Sequence, residues 1–165
     1  MPALKYLLNY PPALVQQAQA LLDSGQLGAW LQRKYPDANE VQTDKALYQF
    51  VAAIKQRYLK NAPLPAKVLY DNRQHPLKGT LGTNTLVSRV QGGKLKSKSE
   101  IRIAALFREL PLPFLQMIAV HELAHLKERD HDRAFYQLCC HMLPDYHQLE
   151  FDLRLWLNWR EREAG

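Results

Sequence analysis

Apolar positions in the first third of the chain recur at helical spacing. Leu14, Ala18, Leu21 and Leu22 form a stripe that stops near Gly25, a residue suited to a helix C-terminus. A shorter helix is expected from Leu27 to Tyr35. The next is better marked: Thr43 can cap it, and Leu47, Phe50, Val51, Ile54 and Tyr58 keep one face apolar. Pro63 and Pro65 end that pattern, and alternation takes over. Lys67 to Tyr70 and Leu86 to Val90 read as strands, the second followed by a Gly92-Gly93 turn. Ile101, Ile103 and Ala105 alternate with Arg102 and Ala104 in a third strand that leads into the next helix.

That helix has a different character. Pro111 and Pro113 mark its start, where the missing N–H costs nothing, and Phe114 to Leu126 are apolar on nearly every side, the pattern of a helix buried all round. Its end is expected near Arg129-Asp130, where four polar residues follow one another. Asp132 is then placed to cap a helix through Ala134, Phe135, Leu138 and Cys139. From Tyr146, through Leu149, Leu153, Trp156, Leu157 and Trp159, helical spacing returns and closes the core. The expected architecture is α+β in one domain spanning residues 1–165: N-terminal helices, a small sheet packed on the central helix, and C-terminal helices.

The buried helix contains His121-Glu122-Leu123-Ala124-His125. Residues four apart on a helix share a face about 5–6 Å apart, so both imidazoles can take adjacent corners of a zinc tetrahedron. Ionisable groups in an apolar helix are costly unless partnered. A metal ion partners the histidines, and Glu122, beside the first of them, can serve as general base toward water.

His131, in the bend after the helix, is the expected third ligand, with Glu150, His141 and His147 as rivals. Three protein ligands leave a fourth position open, as catalysis needs. Ligating imidazoles usually give their second N–H to a carboxylate or carbonyl. Asp130, Asp132, Asp145 and Asp152 are candidates for that role. Tyr70, Tyr136 and Tyr146 are candidate oxyanion partners, although packing is the plainer role for each.

The stretch from His121 to Tyr136 resembles the signature of the YgjP-like metallopeptidases, bacterial relatives of the SprT-like and WLM-type zinc peptidases: H-E-L-x-H-L-x5-H-x3-F-[WY]. The segments Ala46-Leu-Tyr, Tyr70-Asp-Asn, Val87 to Lys96 and Tyr136 to His141 are also similar to that group. The resemblance implies a zincin-like fold for the single domain, and metal ligation by His121, His125 and His131, with Glu122 as base. One element departs from it. Many relatives carry Trp-Gly-Ser-Cys, where this chain reads Arg89-Val-Gln-Gly-Gly93.

Composition adds three points. The chain has 165 residues, 47% of them apolar, enough for a core, and no 18-residue apolar run to span a membrane. Cys139 and Cys140, adjacent on a helix, diverge too far to form a disulfide with each other. Together with a start, Met1 to Val15, that lacks the order of a secretory signal, this points to the cytoplasm. The net charge is +6, with Arg89, Lys94, Lys96, Lys98 and Arg102 clustered about the Gly-Gly turn. They can guard an edge strand against aggregation, or bind an anion such as a nucleotide phosphate or DNA. No aromatic residue interleaves the lysines to stack bases.

The expected function is therefore a hydrolase using one Zn²⁺, foremost a metallopeptidase acting on a peptide or protein, with Glu122 moving the proton. A nucleoside triphosphate pyrophosphatase with the basic cluster on phosphate is the first alternative. A DNA-associated protein-processing module or a non-catalytic zinc module follows. No membrane partner is expected.

Overall fold

The computed structural model describes Leu7, Tyr10 and residues 11–74, 82–91 and 94–164, with side chains throughout except along 83–98. Two compact units emerge. One comprises residues 1–37 with 147–165, the other residues 38–146.

The first unit holds α1 (Pro12–Asp23), α2 (Leu27–Lys34) and most of α6 (Tyr146–Ala164). Gly25 ends α1 in the left-handed region at φ +75°. Its N–H and that of Gln26 reach back to the carbonyls of Leu22 and Leu21 at 3.2 and 3.1 Å. That pair of bonds satisfies the last carbonyls of α1 and favours glycine. The core gathers Leu7, Ala18, Leu22, Leu27, Leu31 and Leu155, ringed by Tyr10, Trp30, Phe151, Trp156 and Trp159. Asp152 is fully buried here. Its carboxylate accepts hydrogen bonds from the Tyr35 hydroxyl and, at 2.9 Å, from Gln148 Nε2, and pairs with Lys34 Nζ at 2.7 Å. A buried charge so partnered avoids the cost of an isolated one.

The second unit is built on three strands, β1 (Lys67–Asp71), β2 (Gly82–Gln91) and β3 (Lys94–Ala104), in the order β1-β3-β2. β3 is central, parallel to β1 and antiparallel to β2. Helices α3 (Asp44–Tyr58), α4 (Leu112–Ala124) and α5 (Arg133–Met142) complete the unit, and α3 packs on β1 while α4 packs on β2 and β3. Thr43 caps α3 as expected, its Oγ1 accepting from Ala46 N at 3.1 Å. Ile101, Ile103, Phe107, Phe114, Leu115 and Val120 lie among the fully buried residues of this unit.

The architecture is α+β, as the pattern indicated, but several boundaries differ. β2 and β3 form a longer ribbon, with Arg89 opposite Lys96 and Gln91 opposite Lys94. Ladder hydrogen bonds carry this polar part, and it has no apolar alternation by which to be read. The Gly92-Gly93 turn lies outside the described residues. β3 stops at Ala104, and Ala105 opens a 3-10 turn, Ala105–Glu109, before α4. α4 itself ends at Ala124, five residues before Arg129.

Candidate metal centre

The early end of α4 is what assembles the site. His125 is the C-cap (φ −66°, ψ −12°), and the chain tightens there: Leu126 N bonds to Leu123 O at 3.0 Å and Lys127 N to Ala124 O at 3.1 Å. A tightened last turn uses carbonyls that would otherwise go unpaired. The bend that follows carries His131 back to the helix. Asp132 then caps α5, accepting from Phe135 N at 3.0 Å.

Three imidazoles meet at this bend. The ring centroids of His121 and His125 are 5.0 Å apart, those of His121 and His131 5.0 Å, and those of His125 and His131 4.8 Å. One nitrogen from each lies within 4.8 Å of the other two. Among the described residues, no other group of three His, Cys, Asp or Glu side chains is close enough to share an ion. His125 Nε2 and His131 Nε2 are 3.0 Å apart. Two nitrogens about 2.0–2.1 Å from one tetrahedral ion would be separated by roughly 3.3 Å, so a shift of a few tenths of an ångström admits one.

The outward-facing nitrogens support the same conclusion. His125 Nδ1 donates to the Glu128 carbonyl at 3.0 Å. A carbonyl only accepts, so the proton sits on Nδ1 and the Nε2 lone pair is available to a cation. His121 Nδ1 lies 2.7 Å from the Tyr146 hydroxyl. Burial holds His125 below the ordinary imidazole range; the hydrogen bond to Glu128 opposes this and the neighbouring His131 reinforces it. A neutral ring is the form that ligates. The donor set, all imidazole nitrogen with the second nitrogens of His121 and His125 oriented, fits a metal ion such as zinc.

Phe135, fully buried, packs against all three rings, its centroid 4.9, 4.6 and 4.9 Å from those of His121, His125 and His131. Glu122 is 2% exposed. Desolvation pushes its carboxyl up to about 8, which makes it far more basic than a surface glutamate. A Cβ at Gly82, the first residue of β2, would lie 2.7 Å from Glu122 Oε2.

The rival ligands are engaged elsewhere. Glu150 pairs with Arg154 at 3.3 Å along α6, and His141 stands edge-on to Tyr58 with centroids 5.8 Å apart. His147 is exposed on α6 in the first unit. Of the carboxylates considered as orienting partners, Asp132 caps α5, Asp152 belongs to the Tyr35–Lys34 cluster, and Asp130 and Asp145 are exposed. The contacts to Nδ1 come instead from a backbone carbonyl and a phenol. No residue spacing announced either. Tyr70 is turned to the Val41 carbonyl at 2.6 Å, and Tyr136 is 6.4 Å from His131, centroid to centroid.

Of the anion-binding candidates, Arg102 is committed to Asp71 and Glu100 at 3.4 and 3.7 Å. Cross-strand partners share a sheet face. Gly82 is the register partner of Ile103, so the face toward Glu122 is that of Ile103, and Arg102 occupies the other one. The side chains of Arg89, Lys94, Lys96 and Lys98 lie outside the described residues. Among the described residues, no helix is long and apolar enough to cross a membrane.

Comparison with known proteins places this geometry in context. A family model described as YgjP-like, metallopeptidase domain, matches residues 88–158. The chain is 57% identical over 158 residues to a protein of Escherichia coli (strain K12) named UTP pyrophosphatase, covering 96% of this chain and 95% of the relative. No solved structure matches.

Proposed function

For a chain that belongs to the YgjP-like family, we propose metal-dependent pyrophosphohydrolysis of a nucleoside triphosphate, with UTP as first substrate. The observation that carries this reading is the 57% identity, over 96% of the chain, to a relative named UTP pyrophosphatase. It favours the nucleotide reading over the peptidase one that the H-E-x-x-H order first suggested.

His121, His125 and His131 would hold the ion, zinc by ligand chemistry. A divalent cation in such a site supplies Lewis acidity to a phosphoryl oxygen and acidifies water. Glu122 accepts the proton of the attacking water. Its elevated basicity, about 8, lies close to neutral pH, where a general base works best. The water oxygen bonds to the α-phosphorus as the bond to the α–β bridging oxygen breaks. Pyrophosphate leaves with the electron pair, and the proton passes from Glu122 to the leaving group. The carboxylate, on a residue 2% exposed, is shielded from bulk water.

Phosphate binding by the basic stretch of residues 89–98 is part of the proposal, and a nucleotide suits it better than DNA because no aromatic residues interleave the lysines. Cys139 and Cys140, present as thiols, suit a reducing cytoplasm, the location we propose.

The peptidase reading keeps one specific support, the family description as a metallopeptidase domain. One assay separates the two. Purified, zinc-loaded protein is given UTP and denatured casein in parallel, with pyrophosphate and new amino termini as readouts. Pyrophosphate without peptide cleavage supports our reading. Peptide cleavage without pyrophosphate overturns it in favour of the peptidase.

A further inference from the structure

We propose that Tyr146 is a positioning residue of the metal centre, its phenol oxygen holding His121 in the tautomer that ligates. The proposal rests on the metal reading of the three imidazoles and concerns a residue outside the ligand set.

Tyr146 is the first residue of α6 and is 1% exposed. Its backbone is fixed by the bond from its N–H to Leu143 O at 2.9 Å. Its hydroxyl lies 2.7 Å from His121 Nδ1, and the two rings are within 15° of parallel with centroids 6.3 Å apart. At 2.7 Å the phenol oxygen and Nδ1 are within ordinary hydrogen-bond distance.

Two tautomers satisfy that contact, but only one is compatible with a metal. If the phenol donates to Nδ1, the imidazole proton sits on Nε2 and blocks ligation. If Nδ1 donates to the phenol oxygen, the Nε2 lone pair is directed to the cation. Metal binding and the second arrangement therefore favour each other, as an oriented outer acceptor does at other imidazole sites. Tyr146 does for His121 what the Glu128 carbonyl, 3.0 Å away, does for His125. Both acceptors are uncharged. A carboxylate in either place would offset part of the cation's charge, whereas neutral acceptors leave it available to an anionic substrate.

The test uses the full-length protein, ¹⁵N-labelled and loaded with Zn²⁺. In the wild type, the Nδ1 protons of His121 and His125 are both expected to exchange slowly with water, and that of His121 to show a cross-relaxation contact with the Tyr146 ring. Tyr146→Phe should lose the slow His121 proton, keep that of His125, and bind zinc about 10–100-fold more weakly in competition with a chelator. Tyr48→Phe, which removes a hydroxyl bonded to the Pro65 carbonyl at 3.3 Å, should bind zinc as the wild type does. Zinc affinity within twofold of wild type in Tyr146→Phe, with the His121 proton unchanged, would overturn the proposal. So would a wild-type His121 that ligates through Nδ1, whatever the variant does. A wild type that binds no divalent ion would instead remove the metal reading itself.

Discussion

Gly82 and Glu122 meet without a side chain between them. A Cβ at position 82 would stand 2.7 Å from Glu122 Oε2 and 3.2 Å from its Cδ, well inside ordinary contact. The first residue of an edge strand therefore sets where the buried carboxylate rests. Gly82→Ala should displace that carboxylate while leaving the three imidazoles in place. A misplacement of about 1 Å at a reacting group can cost on the order of 100-fold in rate. Turnover should fall by 10-fold or more with zinc stoichiometry unchanged, and equal turnover would show that Glu122 has room to spare.

Burial of Glu122 also makes a prediction for the protein stripped of metal. Its folded value, about 8, lies above the ordinary glutamate value of 4.5. Between those values the folded state holds a proton that the unfolded state has released. The stability this provides is complete below about 4.5 and is lost as pH rises through about 8. Glu122→Gln removes this one titrating group, so the difference between the two proteins across pH 7 to 9 isolates the glutamate. The thermal midpoint of the metal-free protein should drop across that range, and Glu122→Gln should flatten the slope. Parallel slopes for the two proteins would mean the carboxylate is not desolvated.

Phe135 touches all three imidazole rings at centroid distances of 4.6–4.9 Å. Phe135→Ala removes that common support and leaves a cavity, a change that costs about 3–5 kcal/mol at buried phenylalanines. Weaker zinc binding should accompany a lowered thermal midpoint. Phe135→Leu, which refills much of the volume, should recover most of the midpoint. Wild-type zinc affinity in Phe135→Ala would show that the ion organises the rings without help from this side chain.

Gly28 provides a contrast in the other unit. A Cβ there would overlap Trp159 Nε1, on a tryptophan packed against the local core. Gly28→Ala should destabilise by roughly 1–3 kcal/mol, the usual range for overpacking, read as a lower midpoint in urea. Zinc stoichiometry should be unaffected. A neutral or stabilising effect would mean the indole can step aside.

Local rules made part of this molecule legible from its sequence. Thr43, Gly25 and Asp132 mark helix ends through hydrogen bonds made within a few residues, and the apolar run of α4 announced burial on every side. The His121–His125 pair followed from helical periodicity alone, and the place of His131 from the bend after it. Relations set by tertiary packing were not legible. The end of α4 at Ala124 depends on a turn that carries polar residues no less suited to a helix. Gly82 lies 40 residues from Glu122, and Tyr146 lies 25 from His121, with no periodicity linking either pair. Arg102 looked like part of a basic cluster because its ion partner Asp71 is 31 residues away, on the parallel strand β1.

The most direct measurement is pyrophosphate release from UTP by the wild type and Glu122→Gln, with zinc content determined on the same samples. The expected result is turnover by the wild type and a loss of about 100–10,000-fold in the variant, the usual contribution of a general base, at equal zinc content. Full activity in zinc-replete Glu122→Gln, or no pyrophosphate from the zinc-loaded wild type, would contradict it.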